Sequence, residues 1–242
     1  MKKHFTNDFL IQQIYNSYKQ KYGMSLPEIN NIKYIERAGF WARFQAEDLY
    51  NKRYILYVNQ ELIQTNKKFV KQVLYHEFTH LADSIRYLQE PFEKFRNVMS
   101  TYSEFNSSRI EMIERIEQVQ NEPIDLKSEI IHVGILTIES FIEQSFELMK
   151  KDLKKMSDNT EDFWYNISHI YYYYGYIKAL ESFGIEYKTK TYLIPSKLML
   201  EVTAIQNILL NDIVDIDALI SAQLKLDDSI KRQYILKKMI NR

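Results

Sequence analysis

Between Asn66 and Ile85 the apolar side chains fall at Phe69, Val70, Val73, Leu74, Phe78, Leu81, Ala82 and Ile85. Steps of three and four sustained over several turns predict one amphipathic helix. Asn66 is placed to cap its N-terminus. A first helix is predicted over residues 7–22, with Phe9, Leu10, Ile14, Tyr18 and Tyr22 on its apolar face and Gly23 as its stop. Between these helices lie runs rich in aromatic and β-branched residues, at 32–35, 38–44 and 54–58. They predict a short strand and then a strand pair separated by the polar stretch 47–53.

From Thr101 onward the pattern reads as helix throughout. Phe105, Met112, Ile113, Ile116 and Val119 give one stripe, and residues 125–156 give another. Thr160 is placed to cap a helix that Gly184 stops, Pro195 to open one that runs to Leu210, and residues 228–240 to close the chain as a last helix. The expectation is an α+β protein of two lobes forming one unit. Residues 1–100 make a small sheet with helices, and residues 101–242 make an all-helical lobe.

The chemistry concentrates on the helix after Asn66, which contains His76-Glu77-Phe78-Thr79-His80. Two His four residues apart on a helix point the same way, so both imidazoles can reach one metal ion. The Glu between them is positioned to activate a water on that metal. No other charged residue falls between Val73 and Ala82. The motif therefore sits on a mostly buried helix, where two incidental His and a Glu would be costly to hide.

Val73 to Ala82 resembles the extended signature of zinc metallopeptidases, which keeps uncharged residues around H-E-x-x-H. The resemblance implies that His76 and His80 bind Zn2+ and that Glu77 is the general base. A catalytic zinc site takes a third protein ligand. The metzincin pattern would place a His where this chain has Arg86, so that branch is excluded. The gluzincin pattern takes a Glu from a second helix. Glu104, followed by the small residues Ser107 and Ser108, resembles that ligand. Two alternatives stand beside it: Thr101-x-x-Glu104 also spells a capping box, and Glu111, two turns on, is a rival ligand. Glu90 and Glu93 flank Pro91 in an expected loop. Gluzincins of the thermolysin type orient the first His with an Asp one turn after the Glu. Ser108 stands there in this chain, which leaves Glu111 or Asp83 for that role.

The resemblance also implies a zincin-like fold, with an edge strand at residues 39–42 that pairs with a peptide substrate. It implies a group from the second lobe that stabilises the oxyanion, for which His169 with Tyr172 or Tyr173 is the candidate set. An aromatic core helix explains the same tyrosines. The size and organisation of the first 120 residues resemble the compact intracellular peptidases of the ImmA/IrrE-like class. His132 reads as structural and His4 as part of a fraying terminus.

Composition narrows the classes. The chain has 242 residues, 45% hydrophobic, enough for a sizeable core. Its 32 basic and 32 acidic residues leave no basic excess for nucleic acid. The absence of Cys removes thiolate metal sites and Cys nucleophiles, so any metal is held by N and O. No signal-peptide pattern and no membrane-length apolar run is visible, so a cytoplasmic protein is expected. The expected function is zinc-dependent peptide hydrolysis, with a peptide or protein as substrate and partner. The alternatives are a catalytically silent protein of the same fold that binds or regulates a partner, and a zinc hydrolase acting on a small amide.

Overall fold

The computed structural model describes residues 2–29, 31–36, 39–48, 53–120, 122–156, 163–190, 196 and 198–240. The first helix, α1 (Lys2–Tyr22), begins earlier than its apolar pattern suggests and ends where Gly23 takes φ +62°. Three strands follow: β1 (Ile32–Ile35), β2 (Ala42–Asp48) and β3 (Arg53–Asn59). Their order is β1-β3-β2, with β1 parallel and β2 antiparallel to the central β3. The strand pair is therefore as expected, but β2 starts three residues beyond Gly39. The stretch proposed as the exposed edge lies mostly before the strand, and the edge itself is Ala42–Asp48.

After the single turn α2 (Gln60–Ile63) comes α3 (Lys67–Arg86), which carries the H-E-x-x-H motif. Asn66 caps it through its side chain, which accepts from the amide of Lys68. The buried face of α3 packs with α1 and the sheet around Tyr15, Tyr18, Leu56, Val58, Phe69, Leu74 and Phe78. Two hydroxyl pairs tie α1 to α3 within this core, Ser17–Tyr75 and Tyr18–Thr79, each at 3.0 Å.

The sequence reading is corrected around Pro91. Pro91 precedes a helix, α4 (Phe92–Ser100), that contains Glu93. Pro fits the start of a helix because it gives up only an amide with no partner there. The next helix, α5 (Tyr102–Ile116), is the expected one. A second correction falls in 125–156, where a hairpin, β4 (Glu129–Ile131) and β5 (Ile135–Thr137), precedes α6 (Ile138–Met156). The spacing of Ile130, Ile131, Ile135 and Ile138 fits helix and hairpin alike. Gly134 and the exposed Val133 mark the turn.

The chain closes with α7 (Phe163–Glu181), α8 (Met199–Leu209) and α9 (Ile216–Ile240). The last helix thus begins twelve residues before the predicted 228. Thr160 and Pro195, offered as helix starts, lie outside the described residues. A second core, from α5, α6, α7, α8 and α9, includes Phe105, Met112, Phe146, Tyr171, Tyr173 and Leu226. The helix α5 serves both cores: Ile110 faces the first, and Phe105, Met112 and Ile116 face the second. Gly175 of α7 allows the closest approach. A Cβ there would stand 2.5 Å from the Phe105 carbonyl oxygen and 2.9 Å from Cβ of Ser108. No helix among the described residues is long and apolar enough to cross a membrane.

Candidate metal centre

Helices α3 and α5 lie side by side, with the site on their contact. Residues 76 and 80 are one turn apart on α3, and Glu104 is in the first turn of α5. Oε2 of Glu104 stands 3.5 Å from Nε2 of His80 and 4.0 Å from Nε2 of His76. One donor atom from each of the three residues falls within a 4.8 Å set. Tetrahedral coordination with bonds of about 2.0–2.2 Å places ligand atoms roughly 3.3–3.5 Å apart, so this trio needs only a small inward adjustment. Oε2 of Glu104 is shut off from solvent and makes no hydrogen bond. A buried carboxylate oxygen without a donor is costly, and a cation between it and the imidazoles would remove that cost. The donor set fits a metal ion.

The capping-box alternative for Glu104 is not realised. Thr101 has φ −129° and ψ −81° and makes no side-chain cap. Its hydroxyl instead donates back to the Asn97 carbonyl at 2.6 Å, which leaves Glu104 free to face α3. Glu111, the rival ligand, has a different place. Its Oε2 is 3.0 Å from Nδ1 of His76, the ring nitrogen turned away from the trio. Nδ1 of His80 is likewise engaged, by the Ser103 hydroxyl at 2.8 Å. Both histidines thus keep Nε2 for the common point, and the partner on Nδ1 fixes each ring. Asp83 supports the second histidine's side of the site. Its carboxylate accepts from Nδ2 of Asn106 at 3.1 and 3.2 Å and lies beside Ser103.

Ser107 is the small residue that lets the helices close. Its Oγ is 3.3 Å from Nε2 of His76 and 3.4 Å from Nε2 of His80, while its proton goes to the Ser103 carbonyl at 2.7 Å.

Glu77 points to the sheet side. Trp41 O accepts from Asn59 N at 2.8 Å. With that pair bonded, antiparallel alternation turns the N–H and C=O groups of Ala42, Phe44 and Ala46 away from β3. The amide of Phe44 reaches Oε2 of Glu77 at 2.6 Å. The open edge of β2 therefore runs past the motif helix at Glu77.

The charges in the site act on one another. Burial raises the proton affinity of Glu77, and His80, His76 and the Phe44 amide only partly oppose it. Burial alone would lower His80, but the carboxylate of Glu104 overrides it and lifts the ring to about 9. Burial also opposes ionisation of Glu104, yet the histidines and the Tyr172 hydroxyl hold it below the usual carboxylate range. Burial likewise opposes ionisation of Glu111, but Arg115 and His76 outweigh it and hold it at about 2.

The second-lobe candidates divide. Tyr172 joins the site: its ring is 5.7 Å from that of His76, and its hydroxyl lies beside Glu104. Tyr173 does not. It is turned into the helical core against Phe146 and Tyr174, at 5.3 and 5.1 Å between ring centres. His169 is buried, with Nδ1 2.8 Å from Oδ2 of Asp152, and meets Tyr172 edge-on at 5.5 Å. It thus lies against the ring that faces His76. His132 lies in the hairpin turn, not in a helix, between Phe69 and Phe141. Ser103, Asn106 and Asp152 were missed in the sequence, where short polar residues on a helix carry no signal of their partners.

Comparisons with protein-family models, with curated proteins and with solved structures find no match for this chain.

Proposed function

We propose that this protein is a zinc-dependent metallopeptidase of gluzincin type with a zincin-like fold, acting on a peptide or protein. The observation that carries the reading is the convergence of Nε2 of His76, Nε2 of His80 and the buried Oε2 of Glu104 beside a buried Glu77. His76, His80 and Glu104 would hold the ion. A zinc ion bound there supplies a Lewis acid that polarises a carbonyl and makes water more acidic. Glu77 accepts the proton of the attacking water and delivers it to the leaving amine. Its raised proton affinity suits both halves of that transfer. An extended peptide laid along the open edge of β2 would bring its backbone past Glu77. Tyr172, held protonated by burial and by Glu104, is the nearby donor for charge developing on the carbonyl oxygen.

The test is metal analysis with hydrolysis of a fluorogenic peptide library, in wild type and Glu77→Gln. One zinc per chain, with cleavage lost in Glu77→Gln, supports the reading. Absence of zinc after zinc-supplemented expression overturns it. A second reading, a silent protein of the same fold that binds a partner, is favoured by one contact. The Phe44 amide already occupies Oε2 of Glu77, as a purely structural Glu would have it. Full zinc occupancy with no cleavage in wild type would select that reading.

A further inference from the structure

His76 is held from behind by a chain of buried groups that ends on the β4–β5 hairpin. Glu111 gives one oxygen to Nδ1 of His76 and pairs through the other with Nη2 of Arg115, one turn further along α5. Arg115 is only 1% exposed. Its Nη1 donates to the Ile131 carbonyl at 2.9 Å and lies 3.3 Å from Nδ1 of His132. The guanidinium also sits over the rings of Phe69 and Phe141, at 5.8 and 4.8 Å. Burial first, and the charge of Arg115 second, push His132 down to about 4. The His132 ring is therefore neutral near pH 7 and can accept a hydrogen bond from Arg115 without repelling it.

A guanidinium this deeply buried is tolerated only when it is paired and hydrogen-bonded. Here the pairing has a direction: the hairpin fixes Arg115, Arg115 fixes Glu111, and Glu111 fixes one ring nitrogen of His76. We propose that Arg115, anchored on the β4–β5 hairpin, is a positioning residue for the metal centre. Through Glu111 it keeps the His76 proton on Nδ1 and leaves Nε2 free for a cation. This rests on the reading of His76, His80 and Glu104 as a metal site. An imidazole ligates only through its unprotonated nitrogen, and the partner on the other nitrogen selects the tautomer and the ring orientation. Without Arg115, Glu111 is a buried carboxylate with one partner fewer, free to turn away from His76. Residues 131 and 132, which are not ligands, thereby influence the metal.

The experiment measures Zn2+ affinity by chelator competition, and the visible spectrum with Co2+ in place of Zn2+. It compares wild type, Arg115→Met, Arg115→Gln, Glu111→Gln and the Arg115→Met/Glu111→Gln double variant. Wild type is expected to bind one ion per chain, and Arg115→Met to bind about 10–100-fold more weakly. The double variant is expected to be no weaker than its weaker parent, because both changes act along one line. The Co2+ spectrum shifts as His76 reorients, which a merely destabilising substitution would not cause. If Arg115→Met fails to fold, Arg115→Gln decides, since Gln keeps a polar donor while removing the charge paired with Glu111. Wild-type affinity and an unchanged Co2+ spectrum in a folded Arg115→Met, or in Arg115→Gln where the first does not fold, overturn the inference alone. No ion bound by wild type overturns the metal site and this inference together.

Discussion

The amide of Phe44 and Oε2 of Glu77 are 2.6 Å apart, so the edge of the sheet holds the residue proposed as the general base. A Gln in its place still offers an oxygen to that amide but cannot take a proton. Glu77→Gln is therefore expected to fold and bind zinc as wild type does, while cleavage falls by about 10²–10⁴-fold. Parallel measurements of zinc content and peptide hydrolysis check this. Undiminished cleavage would remove Glu77 from the chemistry.

Glu104 and Glu111 occupy different faces of the site, and their Ala variants should separate. Glu104→Ala removes the proposed third ligand and is expected to abolish stoichiometric zinc binding. Glu111→Ala removes only the hold on Nδ1 of His76 and is expected to cost about 10–100-fold in affinity. Chelator competition on both variants measures the difference. The reverse order would make Glu111 the ligand.

In the metal-free protein His80 is raised to about 9 by the carboxylate of Glu104, against the effect of burial. A His whose folded pKa exceeds its unfolded value of 6.5 stabilises the fold through its proton. That contribution is fully present below pH 6.5 and is lost as pH rises through about 9. The Tm advantage of metal-free wild type over His80→Gln should shrink across this window. Protons and the ion compete for the same nitrogen, so apparent zinc affinity should climb over the same range. Thermal melts and zinc titrations from pH 6 to 9.5, roughly spanning these values, test both. A flat difference would mean that folding does not raise the proton affinity of His80.

The separate roles of Tyr172 and Tyr173 follow from their directions. Tyr172→Phe deletes the hydroxyl beside Glu104 and is expected to lower cleavage by about tenfold or more with the fold retained. Tyr173→Phe is expected to leave cleavage unchanged and not to destabilise the fold, because the Tyr173 hydroxyl is buried without a hydrogen-bond partner. Peptide hydrolysis and denaturant melts on the two variants distinguish them. Equal losses of cleavage would mean that the tyrosine helix acts through packing alone.

The motif helix was legible because three independent signals agree at Asn66, in the apolar spacing and in the H-E-x-x-H pair. Glu104 was legible in part, because a capping box and a ligand use the same letters. What separates them is the Thr101 hydroxyl bonding back to Asn97, a feature of three-dimensional geometry. The hairpin at 129–137 was not legible, since short apolar runs satisfy helix and strand periods equally. Nor could the sequence choose between Tyr172 and Tyr173. Consecutive helical residues are rotated by about 100°, and only the position of α5 shows that Tyr172 faces the histidines. Arg115 is among the most buried side chains described, and no spacing or motif in the sequence signals it.

The approach of α7 to α5 brings Tyr172 to Glu104, and Gly175 permits it. A methyl group at that position would lie 2.5 Å from the Phe105 carbonyl oxygen, 2.9 Å from Cβ of Ser108 and 3.0 Å from the amide nitrogen of Arg109. Two of these are backbone atoms, so side-chain rotation cannot relieve the clash and the helices must separate. Gly normally costs helix stability relative to Ala, so a neutral site would gain from the substitution. Here Gly175→Ala is expected to destabilise by about 1–3 kcal/mol, the usual range for overpacking. It should also lower cleavage more than a stability loss alone explains, because Tyr172 moves with α7 while His76, His80 and Glu104 do not. Denaturant unfolding, with hydrolysis measured well below the melting temperature, tests both parts. A stabilised variant would show that α5 and α7 are not in this contact, and unchanged hydrolysis in a destabilised one would free the site from α7.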